Sequence, residues 1–125
     1  MTRINCVHPD ELTVRHLVAE YRELPRIFTL VKKAQNRGLT PVDIMIPNVY
    51  VLGTGHVRFF YNKLKYLETR QQMLIDEMRK RGFKPNFINL DELMTGINQM
   101  WYNDWIPDDD AMKINRQRIS ERLNK

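Results

Sequence analysis

The segment from Gly55 to Gly82, GHVRFFYNKLKYLETRQQMLIDEMRKRG, constrains this chain more than any other. Val57, Phe60, Tyr61, Leu64, Leu67, Leu74, Ile75 and Met78 recur at helical spacing, so one side of a helix must find an apolar partner. The period of two that a strand imposes does not generate this pattern. Gly82 is the expected stop, because glycine readily takes the left-handed conformation that closes a helix. The methionines and aromatic residues on this face are read as packing, not as a cofactor box.

A helix with such a face cannot bury it alone, and two further segments offer partners. The first is expected to begin just after Pro9-Asp10, with Asp10 as its cap, and to run to about Gln35, where NRGL ends it. Its apolar stripe is Leu17, Tyr21, Leu24, Phe28 and Val31. The third helix is expected in PDDDAMKINRQRISERL, whose leading proline and aspartates suit a helix N-terminus. There Met112, Ile119 and Leu123 are expected inward, with Lys113, Arg116, Arg118 and Arg122 outside. PVDIMIPNVYVLGTG has strand-like residues but is broken by Pro41, Pro47, Gly53 and Gly55, so at most a short extended piece is expected. Residues 83–107 read as loops around a short helix at about 90–99. A chain of 125 residues suits one core, and the expectation is an all-α fold in a compact single domain spanning 1–125.

The net charge of +5 and the pI near 9.5 suit a polyanionic partner, nucleic acid or an anionic membrane surface, and charge alone does not choose between them. Cys6 is the only cysteine, which excludes an intramolecular disulfide and suits a reducing compartment. Nothing near it in sequence would lower its pKa, so it is read as a small buried thiol. No stretch has the apolar length of a membrane span, and MTRINCVHPDEL lacks the apolar core of a signal peptide. The expectation is a cytoplasmic protein with no membrane partner.

Chemistry concentrates in HLVAEYRELPRIF, where Glu20, Arg22, Glu23 and Arg26 surround Pro25 inside a helical pattern. Proline cannot donate the backbone hydrogen bond that the Tyr21 carbonyl expects, and it disfavours helical geometry at Leu24. A kink there would turn Glu23 away from the neighbouring arginines and into a cleft. The plain alternative for Arg15, Arg22 and Arg26 is a solvated face paired with Glu20 and Glu23. The functional alternative is a phosphate clamp, since guanidinium forks match phosphate oxygens. His8, His16 and His56 have no metal-ligand spacing to one another or to Cys6, and LGTG lacks the lysine of a phosphate loop, so neither a metal nor a nucleotide site is expected.

Three separated blocks, MTRIN at the start, HLVAEYRELPR from His16 and LGTGHVRFFYNKLKYLETRQQMLIDEMRKRGF from Leu52, strongly resemble the pyrimidine-dimer DNA glycosylase family, the phage endonuclease V-like enzymes. A weaker match continues through DWIPDDDAMKINRQRISERL. The resemblance implies three main helices with the N-terminal segment threaded between them. It also implies a bifunctional enzyme that cleaves the glycosidic bond at UV-induced cyclobutane pyrimidine dimers and then nicks the strand as a lyase. By the same resemblance, Thr2 becomes the first residue once Met1 is removed and supplies its α-amine as nucleophile, and Glu23 is the catalytic carboxylate. Arg3, His16, Arg22 and Arg26 line the DNA-facing site, Arg118 is a basic DNA contact, and Arg122 stands where the type member has lysine.

The implied chemistry is physically coherent and calls for no metal or cofactor. An amine that forms a Schiff base must be unprotonated, and an α-amine of pKa about 7.7–8.0 has a free-base fraction a few hundred-fold larger at neutrality than lysine. Nearby Arg3, Arg22 and Arg26 would depress it further. The implied partners are double-stranded DNA containing UV lesions and, non-specifically, undamaged DNA, met by a monomer in a bacterial or phage-infected cell. Where the type member continues into an aromatic and basic tail, this sequence stops at ERLNK, which bears on lesion specificity. Trp101, Tyr102 and Trp105 are expected to pack rather than to replace that tail. Two alternatives remain: an abasic-site lyase or glycosylase for other damaged bases, and a non-catalytic DNA-binding module.

Overall fold

The apolar stripes pack against one another in the computed structural model, which describes residues 3–86 and 90–123. Helix α1 spans Val14–Glu23, α2 Pro25–Asn36, α3 His56–Phe59, α4 Leu64–Lys80, α5 Leu90–Met94 and α6 Asp109–Leu123, with 3-10 turns at Pro9–Glu11 and Gln99–Trp101. Among the described residues there is no strand, and the fold is all-α. Helices α1 and α4 lie side by side, with Leu17, Leu24, Leu67 and Leu74 all fully buried. Each such leucine stabilises the fold by about 1.5–3 kcal/mol. Tyr21, Phe28 and Val31 join them, so the expected stripe of the first helical region is the one that is buried.

That region starts and divides differently from expectation. Thr13, not Asp10, caps α1: its Oγ1 accepts the His16 N–H at 3.3 Å. Asp10 instead sits in the preceding 3-10 turn, where His8 Nδ1 accepts its amide at 3.1 Å. The helix is interrupted at Leu24, yet Leu24 keeps helical dihedrals of φ −55 and ψ −43, contrary to the expectation from Pro25. Packing of the fully buried Leu24 side chain holds the residue there against the local preference. The ladder is still broken, because Pro25 has no N–H for the Tyr21 carbonyl. Gln71 of α4 replaces it, donating through Nε2 to Tyr21 O at 3.1 Å.

The segment expected as one helix from Gly55 to Gly82 is two. A turn over 60–63 separates α3 from α4. Neighbouring residues on one helix point about 100° apart, whereas the turn lets Phe59 and Phe60 both be buried in one aromatic cluster. Their rings meet edge to face at 5.1 Å, and Trp105 meets Phe59 at 5.1 Å and Tyr66 at 5.0 Å. Trp105 and the fully buried Trp101 therefore serve packing, as expected. At the other end, Gly82 takes φ +90 and the Phe83 amide reaches back to Met78 O at 2.9 Å, the closure expected of that glycine.

Helix α6 docks through Ala111 and Asn115, its two buried residues. Met112 and Ile119 are partly buried against the core, but Leu123 is 54% exposed, so the expected inward stripe fails at its last position, on the final residue of the helix. Arg116 is not free outside either: it forms a two-pronged pair with Glu11, both contacts at 3.0 Å, that ties α6 to the first 3-10 turn. Between the helices runs the N-terminal segment, with Ile4, Asn5, Cys6 and Val7 all buried.

Candidate functional site

A buried extended segment with no neighbouring strand has backbone groups that other parts of the chain must satisfy. Here side chains do so. The Ile4 N–H donates to His56 Nε2 at 2.9 Å, and Tyr50 Oη donates to the Ile4 carbonyl at 3.0 Å. Tyr66 Oη reaches Asn5 O at 3.4 Å. Asn115 Oδ1 accepts the amides of Cys6 at 2.7 Å and Val7 at 3.1 Å, and Arg70 donates to the Val7 carbonyl. The seat is thus assembled from the 37–55 connection, α3, α4 and α6. Cys6 lies inside it, donates through Sγ to Ala111 O at 3.5 Å, and has its thiol pushed up by burial to about 12, which makes it inert at neutrality.

The seat continues into a buried charge pair. Glu20 is 1% and Arg70 2% exposed, and Arg70 Nε donates to Glu20 Oε2 at 2.7 Å. Asn5 Nδ2 donates to Glu20 Oε1 at 2.8 Å, while Asn115 Nδ2 donates to Asn5 Oδ1 at 2.7 Å. Desolvation works against the Arg70 charge, but Glu20 outweighs it and the guanidinium pKa is raised. This network joins α1, α4, α6 and the N-terminal segment, and every member has a partner.

The rim above it differs. Arg3, the first described residue, has one terminal guanidinium nitrogen buried with no hydrogen-bond partner among the described residues, and the same holds for Arg118 Nε and His16 Nδ1. Burial first, then Arg118 and Arg122, lower the Arg3 pKa, with Tyr50 opposing. The His16 pKa is lowered by burial and then by Arg15, Arg122 and Arg3. Arg3, His16, Arg118 and Arg122 therefore share one positive field. Among the described residues, Arg118 is the one of these four that makes an ion pair, with Glu121 at 3.6 Å. Orphaned donors of this kind are costly, at about 1–3 kcal/mol each, unless a ligand takes them up.

Glu23 lies seven residues beyond His16, so the two share a face of α1 about 10 Å apart along its axis. It is half-buried and, among the described residues, has no ion pair or side-chain hydrogen bond. Arg22 and Arg26 are exposed and equally unpaired, so the solvated pairing of Glu23 with these arginines does not form. No described contact joins Arg22, Glu23 or Arg26 to Arg3. What connects the two groups is Glu20, one turn before Glu23, bonded to Asn5, two residues after Arg3. Thr2, expected as the nucleophile, lies outside the described residues.

Sequence reasoning missed the inner network altogether, although a signal existed. Glu20 falls on the stripe between Leu17 and Leu24, Arg70 between Leu67 and Leu74, and Asn115 between Ala111 and Ile119. A polar group at a core position of an amphipathic helix announces a buried partner.

No helix among the described residues is long and apolar enough to cross a membrane. A buried N-terminal segment and a cluster of basic side chains with orphaned nitrogens accompany a match of residues 1–89 to the family model described as pyrimidine dimer DNA glycosylase, and the chain belongs to that family of DNA-repair enzymes.

Proposed function

We propose that the protein is a bifunctional DNA repair enzyme, a pyrimidine-dimer glycosylase with abasic-site lyase activity that uses its N-terminal amine. The observation that carries this reading is the seat of Ile4–Val7. Side-chain hydrogen bonds hold Ile4–Val7 in the core, and Ile4 is two residues along the sequence from Thr2, which supports a reading in which the adjoining amine is positioned to act. From a pinned Ile4, a two-residue arm reaches at most about 7 Å. Once Met1 is removed, the amine of Thr2 works within that reach.

The lone pair of the Thr2 amine attacks the deoxyribose C1′, the glycosidic bond breaks, and the base departs with the bonding electrons and a proton. The amine nitrogen then opens the sugar ring, the C1′–O4′ bond breaking as O4′ takes a proton from water, and the resulting iminium at C1′ acidifies the C2′ hydrogen. Glu23 stabilises the positive charge that develops on the sugar and then removes the C2′ proton, expelling the 3′ phosphate by β-elimination. Water releases the enzyme by hydrolysing the imine. Arg3, His16, Arg118 and Arg122 offer phosphates the donors that the protein leaves unpartnered, and Arg22 and Arg26 add charge at the α1–α2 junction. The family's duplex substrate also requires a nucleotide to leave the stack, which a damaged step makes less costly.

Borohydride trapping tests the reading. UV-irradiated or abasic duplex should form a covalent adduct whose site, by peptide mass, is the N-terminal residue. A chain that binds such DNA yet gives no adduct is a binding module. Adducts with abasic but never with UV-irradiated duplex would reassign it to an abasic-site lyase.

A further inference from the structure

His56 takes no part in the chemistry above, yet it is almost fully buried and both ring nitrogens are engaged. Nε2 accepts the Ile4 N–H at 2.9 Å, so it carries no proton. Nδ1, 2.7 Å from the Val51 carbonyl, must then be the donor. Two opposite hydrogen bonds thus fix one neutral tautomer. Tyr50 completes the arrangement by donating to the Ile4 carbonyl, and its ring stands edge-on to the imidazole at 5.5 Å. Both polar groups of the Ile4 backbone are consequently held by the short stretch 50–56.

We propose that His56 and Tyr50 are positioning residues for the terminal amine, clamping Ile4 so that the two residues before it present that amine to the sugar, and that a proton on His56 Nε2 opens the clamp. A protonated Nε2 is a donor facing another donor, so the Ile4 contact would be lost. The charged or titratable groups facing the ring are Arg3 of the N-terminal segment and Tyr50 of the preceding connection, and Phe60 at 5.6 Å is apolar. Burial first, and also Arg3, lower the His56 pKa, with the Val51 carbonyl opposing. The clamp is therefore closed at neutral pH and opens on the acid side of the ordinary histidine value, about 6.5.

This inference rests on the Thr2 amine being the nucleophile, and the experiment separates the two. Trapping rates on abasic duplex are measured against pH for the parent, His56→Phe, His56→Gln and Tyr50→Phe, with duplex affinity and melting temperature alongside. A misplaced nucleophile costs about 100-fold, so His56→Phe should lose rate on that scale while affinity stays within about twofold. His56→Gln, which can still accept from Ile4 but does not titrate, should recover most of the rate. It should also flatten the acid limb from about two protons per pH unit in the parent to about one, that of the amine. Should His56→Phe not fold, the flattened limb of His56→Gln and a smaller rate loss in Tyr50→Phe decide the matter. An unchanged rate and slope in the folded variants overturns the clamp while leaving the amine reading intact. A parent adduct that is absent or not at the N-terminus overturns both.

Discussion

Glu20 and Glu23 leave the same helix three residues apart, yet they belong to regions built on opposite rules. Below, around Glu20, the side chains of Arg70, Asn5 and Asn115 all have partners and close a network that holds the N-terminal segment, although Oε1 of neighbouring Gln71 has none among the described residues. By contrast, Glu23 has no ion pair or side-chain hydrogen bond among the described residues, and Arg3, His16 and Arg118 each keep a buried nitrogen without a described partner. The inner layer fixes Ile4–Val7, and in the proposed reading the outer groups serve an anionic ligand. The two layers should separate cleanly under mutation.

The largest expected effect is on Glu23. Glu23→Gln should lower strand scission by about 10²–10⁴-fold while leaving duplex binding and melting temperature near the parent values, a split that steady-state assays with gel-shift and thermal melts would read. Normal cleavage of dimer-containing DNA by this variant would remove the role assigned to the carboxylate. Its inner counterpart is Arg70→Met, which strands Glu20 in the core. Urea unfolding should report a loss of about 3–5 kcal/mol, with activity falling only as the folded fraction falls. If that variant is as stable as the parent, the seat is not held by the pair.

Asn115→Leu sharpens the contrast at intermediate size, because it removes the acceptor of two buried amides. A loss of about 1–3 kcal/mol per orphaned amide is expected, together with loss of protection at Cys6 and Val7 in hydrogen exchange. On the rim, Arg118→Ala should weaken binding of any duplex alike and reduce the salt slope of binding by about one, with stability little changed. The smallest effect is the pH dependence of stability. His16 and His56 both have lowered pKa values in the folded chain. The unfolded chain therefore takes up their protons first, from about pH 6.5 downward. Stability should be complete above that value and decline as pH falls toward the depressed folded values, which melts at stepped pH would show.

Much of the helical framework is readable from the chain because burial imposes a period: Leu17, Leu24, Leu67 and Leu74 announce their faces, and Gly82 its turn. The break at 60–63 is not readable, since it depends on Trp105 arriving from far along the chain to enclose Phe59 and Phe60. The partner of a buried charge is hidden for the same reason. Glu20 and Arg70 each sit visibly on an apolar stripe, but which stripe faces which is a tertiary fact. Charge around Pro25 marks Arg15, Arg22, Glu23 and Arg26 in the sequence, whereas Arg3, His16, Arg118 and Arg122 are named by the family resemblance alone. That Arg3, Arg118 and Arg122 share a field with His16 emerges only once α6 docks. Arg118 and Arg122 lie beyond the residues 1–89 matched by the family.

The bond from Gln71 to the carbonyl that Pro25 leaves open has a mechanical consequence. A proline interruption usually behaves as a joint, but this one is bolted from within by α4, so the elbow between α1 and α2 should keep its angle under load. In the proposed reaction the compliance must then come from the nucleic acid: a stiff template meets a bendable polymer, and lesions that soften the duplex are the ones that fit.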